Sequence, residues 1–94
     1  MTCYRITRLK ALDSDKIKEI GERMRETIEA MGADCIDVAE DNDGNIVVVA
    51  RYPDESTMEA ATATAQDTFG QMITQGAADS SSIDQWSGRV MMSF

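Results

Sequence analysis

Five side chains carry most of what this sequence offers a ligand: Tyr52, Trp86, Phe69, Arg51 and Arg89. The rings of Tyr52, Trp86 and Phe69, with Met24, Met58, Met72 and Met92, would line an apolar pocket between a sheet and helices. Its polar handles would be the Tyr52 hydroxyl, the Trp86 N–H and one of the two arginines. Such a lining suits a planar or hydrophobic organic molecule. The same residues, recurring at helical or strand spacing, would equally serve as a packed core.

What the chain lacks bounds the chemistry further. It has no histidine, so proton transfer near neutral pH falls to a perturbed carboxylate, tyrosine, lysine or cysteine. No catalytic residue can be named from the residue types alone. Two cysteines, Cys3 and Cys35, cannot supply the four ligands of a zinc site. They stand too far apart in sequence for a C-x-x-C motif, and neither has a histidine to make it a nucleophile. They read as small buried hydrophobes. Glu40, Asp41 and Asp43 resemble the start of a calcium loop, but the remaining ligands do not follow at the required offsets, so no metal is expected. Asp79 and Ser80–82 lack a nucleophile elbow and read as a solvated loop. Nothing in the residue types asks for a cofactor.

Charge points the same way. Nine basic residues against 17 acidic ones give a net −8, which repels phosphate backbones and anionic lipid. Nucleic acid and membrane surfaces are therefore poor partners. No apolar run is long enough to cross a membrane. MTCYRITRLK reads as a strand and not as a leader, so a cytoplasmic protein with reduced thiols is expected.

The elements that would position these residues can be read along the chain. CYRITRL (3–9) is a first strand. Asp13 or Ser14 caps a helix whose apolar stripe runs Ile17, Ile20, Met24, Ile28, Met31, ending at Gly32. DCIDVA (34–39) alternates as a second strand, and Asp43-Gly44 marks a tight hairpin. IVVVARY (46–52) is a third strand, with Ile46, Val48, Ala50 and Tyr52 on one face and Val47 and Val49 on the other. Pro53 ends it. A second helix is expected from Ser56, with Ser56 and Glu59 at capping-box spacing and Met58, Ala61, Ala65, Phe69, Met72 and Ile73 inward. GAADSSS (76–82) reads as a flexible loop, and IDQWSGRVMMSF (83–94) as a fourth strand.

Strand, helix, strand, strand, helix, strand makes one α+β domain over residues 1–94, a ferredoxin-like βαββαβ. Right-handed crossovers put both helices on one face of a four-stranded antiparallel sheet, with the first and third strands central. One chain then covers one face only, while the third strand is apolar on both. A homodimer packed through the open sheet face would cover the other. Otherwise long side chains such as Arg5 and Arg89 would shield it.

GNIVVVARYPDESTMEAATATAQDTFGQM (44–72) resembles the middle of the antibiotic biosynthesis monooxygenase-like, dimeric α+β barrel proteins. The shared features are an aliphatic third strand ending in Arg-Tyr, a polar cap and an alanine-rich second helix. The segment around Trp86-Ser87-Gly88-Arg89-Val90 is compatible with the closing strand. The resemblance implies a dimeric α+β barrel whose relatives include cofactor-free oxygenases of polycyclic phenols and haem-degrading enzymes. The haem route uses a histidine ligand this chain lacks. The asparagine–tryptophan–histidine set of those enzymes finds no counterpart, since Asn42 and Asn45 belong to the hairpin and Trp86 to the last strand. The reading that follows is a homodimer binding a small apolar organic molecule, with cofactor-free monooxygenation as its enzymatic version. The alternative is a non-catalytic dimeric ligand-sensing or assembly module.

Overall fold

The computed structural model describes all 94 residues. Four strands form one antiparallel sheet: β1 (Cys3–Lys10), β2 (Cys35–Glu40), β3 (Asn45–Tyr52) and β4 (Asp84–Arg89), in the order β2-β3-β1-β4. The α+β, ferredoxin-like βαββαβ order is therefore as the sequence indicates, with β1 and β3 central. Each crossover helix comes in two pieces, α1 (Ser14–Arg23) with α2 (Arg25–Glu29), and α3 (Glu55–Ala60) with α4 (Thr62–Thr74). The first break falls at Met24, yet Met24 N–H still bonds Ile20 and Ile28 N–H still bonds Met24. The apolar stripe therefore stays on one side, with Ile17, Ile20 and Met24 buried.

Local chemistry sets the ends of these elements. Asp13 Oδ1 accepts the Lys16 N–H at 3.0 Å and caps α1. Gly32 takes φ +86° after α2, a conformation that L side chains rarely adopt. In the β2–β3 turn, Asp41 Oδ1 accepts the N–H groups of both Asp43 and Asn45, and Gly44 sits at φ +80°. The second helix begins one step earlier than the sequence suggests. Asp54 is extended behind Pro53, and its Oδ1 accepts Thr57 N–H at 2.7 Å. Ser56 lies inside the helix and donates its hydroxyl to Asp54. A carboxylate suits a helix N-terminus better than a hydroxyl because the dipole adds to the hydrogen bond.

Two other expectations are corrected. Residues 76–82 are not a loose loop. Ala77 and Ala78 are buried, Ala78 bridges Ala11, and Asp79–Ser82 makes a capped 3-10 turn whose Ser82 hydroxyl accepts Lys10 N–H at 2.8 Å. Ser82 thus bonds the end of β1, and Ser81 bonds Asp79. The fourth strand stops at Arg89 because its register pairs Arg89 with Cys3, where β1 begins. Only Val90 finds a further partner, the Thr2 carbonyl, and Met91, Met92 and Phe94 are exposed.

The interior lies between the sheet and the helices, in two clusters. Leu9, Ile17, Ile20, Met24, Ile46, Met72, Ala77 and Ala78 form one; Cys3, Ala50, Tyr52, Met58 and Ala61 form the other.

Candidate functional site

A cavity of about 610 Å³ opens between these clusters, bounded by β1 and β3 on one side and by α1 and α4 on the other. Leu9, Ile17, Ile46 and Met72 wall it from one cluster, and Ala50 and Tyr52 from the other. Phe69, Val48, Ala65 and Thr68 extend the walls, Ile28, Met31, Ile36 and Val38 line the side toward β2, and the exposed charges Lys18, Glu22, Arg25 and Glu29 border the cavity from α1 and α2. Protein interiors normally close to near-crystalline density. An opening of this size among hydrocarbon side chains falls within the range of small-molecule sites.

Arg5 is the group that sequence reasoning put on the wrong side. Its strand position pairs with Ala50 and Ser87, and it shares a face with Cys3, Thr7 and Leu9. It therefore points under the helices, is 8% exposed, and lines the cavity. Its Nη2 donates to Thr62 Oγ1 at 2.8 Å and to the Met58 carbonyl at 3.3 Å. Its guanidinium carbon lies 6.0 Å from the centre of the Tyr52 ring, within reach of a cation–π contact. Nη1 is buried and has no hydrogen-bond partner. The chain's three ion pairs all lie on α1 and α2, and none involves Arg5. A signal for this was present: in CYRITRL, Arg5 has the parity of Cys3 and Leu9, the positions most suited to a core.

The five ligand-binding candidates divide between the two faces of the sheet. Tyr52 and Phe69 line the cavity. Tyr52 is fully buried, and burial pushes its phenol pKa up against the opposing pull of the Arg5 charge. The phenol is thus held protonated and able to donate. Trp86 pairs with Ile6 and Arg51 with Tyr4, so both face away from the helices. Trp86 is 58% exposed and folds over Gly88, where an added Cβ would run into the indole. Arg89 is exposed at the end of β4. These three do not line the cavity. Parity explains the difference: the sheet register, and not residue type, decides which ring reaches the helices.

Of the two cysteines, Cys35 borders the cavity beside Asp34 and Cys3 does not. Cys3 is buried, as its type suggests, but Cys35 is exposed, because β2 is an edge strand that the helices barely cover. No three Cys, Asp or Glu side chains converge as a metal-binding group. No helix is long and apolar enough to cross a membrane.

The fold has well-matched counterparts. Two structures of SnoaB, a cofactor-independent oxygenase from Streptomyces nogalater, superpose with TM-scores of 0.75 and 0.72 at 9% and 12% identity, each covering 98% of this chain and 95% of that one. A protein from Deinococcus radiodurans provisionally assigned as an antibiotic biosynthesis monooxygenase superposes at 0.67 with 11% identity, over 100% of this chain and 96% of that one. Rv0793 from Mycobacterium tuberculosis gives 0.61 at 12% identity, over 99% and 98%. No family model matches the sequence, and no curated protein matches it. The chain has the fold of the antibiotic biosynthesis monooxygenase-like proteins, and at these identities the likeness is one of fold alone.

Proposed function

We propose that this protein is a homodimer that binds a planar, mostly apolar organic molecule in the sheet–helix cavity and oxygenates it without a cofactor. The observation that carries the reading is the cavity: an opening of about 610 Å³, walled mainly by hydrocarbon, in a domain of 94 residues. A small domain has little buried area to spare, so leaving its interior open costs stability that a binding role repays. The cofactor-independent activity given for SnoaB supports the enzymatic version.

The chemistry this site suits is oxidation of an acidic methylene to a carbonyl. The substrate gives a proton to water and becomes a carbanion whose charge is delocalised onto oxygen, and Arg5 stabilises that charge. The carbanion reduces molecular oxygen and forms the new C–O bond. The Tyr52 phenol lies in the cavity to protonate the peroxide and recovers its proton from water. The O–O bond then breaks as water leaves, taking the second hydrogen of the methylene as a proton. One oxygen atom stays as the carbonyl and one departs in water, so the substrate supplies all four electrons. Phe69 packs against the ring system.

The cavity has no histidine, and the Cys35 thiol and the Glu22, Glu29 and Asp34 carboxylates that line it are exposed, which favours a second reading, a ligand-sensing module that binds without turnover. An oxygen electrode separates the two. With a panel of hydroxylated aromatic ketones bearing an activated methylene, oxygenation predicts one oxygen consumed per substrate lost, unaffected by a metal chelator. Tight binding without oxygen uptake would leave the sensing module.

Dimerisation rests on the outer sheet face. Tyr4, Ile6, Val47 and Val49 are only half-exposed there, beside the exposed Trp86. A second copy packed sheet to sheet would place Trp86 and Arg51 at the interface and leave Tyr52 and Phe69 to the ligand. Sedimentation should return twice the chain mass of 10.3 kDa. Trp86→Ala should then weaken self-association and spare ligand binding.

A further inference from the structure

We infer that Arg5 selects the ligand by a single ionised oxygen, a phenolate or enolate, in preference to a carboxylate. This rests on reading the cavity as a ligand site. A guanidinium keeps its charge at every pH a protein tolerates, and a buried charge without a partner is costly. Arg5 is 8% exposed, lines the cavity, and holds the only buried side-chain nitrogen or oxygen in the chain without a partner, Nη1.

The hydrogen bonds already made decide what Arg5 can accept. Nη2 spends its two hydrogens on Thr62 Oγ1 and the Met58 carbonyl. A carboxylate or phosphate is gripped best by a fork of two parallel N–H groups on different nitrogens. A guanidinium offers two forks, Nη1 with Nη2 and Nε with Nη2, and both need Nη2. With Nη2 committed, Arg5 has Nη1 alone left to offer an anion, and one oxygen is enough to satisfy it. The other cations that line the cavity, Lys18 and Arg25, are exposed, and Arg25 is paired with Glu22 and Glu29, so Arg5 is the buried charge; two of the wall hydroxyls already have partners. Thr7 Oγ1 accepts from Gln85 at 3.2 Å, and Thr68 Oγ1 donates to the Thr64 carbonyl at 2.8 Å. A nearby cation favours the ionised form of its partner, so a bound phenol should ionise about 1 to 3 pH units below its ordinary value.

Three probes on one ring system test this with the full-length chain: 2-naphthol, 2-naphthoate and naphthalene. Naphthyl absorption and fluorescence are followed from neutral pH to beyond the ordinary range of a phenol. The expected result is a fall of at least about one unit in the pKa of bound 2-naphthol, which means the naphtholate binds at least about tenfold tighter than the phenol. In Arg5→Met that shift disappears while naphthalene still binds. Arg5→Lys keeps the charge and should keep part of the shift, with circular dichroism checking that each variant folds. Thr62→Val removes the acceptor that occupies Nη2 and reopens a fork, so 2-naphthoate should gain affinity relative to the naphtholate. An unshifted pKa in the wild type, an equal shift in Arg5→Met, or 2-naphthoate preferred over the naphtholate in the wild type would each overturn the selection and leave the ligand cavity standing. Failure of all three probes to bind any of the proteins would remove the cavity reading, and the selection with it.

Discussion

Each face of the sheet carries a tyrosine and a neighbouring arginine from the same two strands. Outside, Tyr4 on β1 sits directly across from Arg51 on β3; inside, one residue along each strand, are Arg5 and Tyr52. The side chains are the same and the surroundings are not. Arg51 is exposed on the single chain. Arg5 has exchanged most of its water for a threonine hydroxyl, a carbonyl and the face of Tyr52, and is left with Nη1 unpaired. A charge in water is screened and costs little; the same charge under two helices must find a partner or stand as a penalty. Of the two faces, the inner one is therefore where an arginine selects an anion.

The difference can be broken most severely at Tyr52. Tyr52→Ala should cost about 3 to 5 kcal/mol, in line with other large aromatic truncations in cores. Tyr4→Ala, measured in a dimer-deficient background, should cost about 1 kcal/mol or less. Urea titration reads both, and equal losses would mean that the two faces are not distinct. Val49→Lys supplies that background. It should reduce the sedimenting mass from twice 10.3 kDa to 10.3 kDa without disturbing naphthalene binding, and an undiminished mass would place the self-contact elsewhere.

Arg5→Met sharpens the contrast in the opposite direction. Replacing a buried, incompletely paired charge by a hydrophobe of similar length should raise stability by about 1 to 4 kcal/mol. Arg51→Met in the same background should stay within about 0.5 kcal/mol. A stability gained as binding is lost would mark Arg5 as kept for function.

The smallest effect concerns neither face but the turns that hold them in register. Asp41, Asp54 and Asp79 all have carboxyl pKa values below the ordinary range. The causes are hydrogen bonds from Asn45 to Asp41, from Thr57 to Asp54 and from Ser81 to Asp79. A depressed folded-state pKa adds stability that is complete above the unfolded value of about 4 and disappears as pH falls through the folded value. Melting temperatures should therefore drop below about pH 4. Asn at all three positions should flatten that acid limb, and an unchanged slope would mean that these turns do not contribute to it.

Much of this architecture could be read from the residues. The hairpin was visible in Asp43-Gly44, and the central place of β3 in an apolar run without alternation. The cavity was not. Arg5, Thr7 and Val48 line it between the two clusters, and no local pattern says whether such residues enclose a space or fill it. The arginine assignment failed for a definable reason. On a two-faced strand the polar residue is expected outward, and here the more apolar pair, Tyr4 and Ile6, faces outward instead. Parity with Cys3 and Leu9 held the answer, and residue type overrode it. Trp86 was misplaced by the same habit of assigning aromatic rings to the interior.

That exposed ring has an optical consequence. Trp86 is the only tryptophan, and it stacks over Gly88 on the side of the sheet away from the cavity. The protein thus carries a fluorophore whose environment changes with events on one side of a sheet a single layer thick. Its emission should shift to the blue as concentration brings copies together, and dilution should reverse the shift. A transparent, non-quenching molecule entering the cavity should leave the wavelength where it was. Self-association and ligand uptake can then be followed in one unlabelled sample, each without the signature of the other.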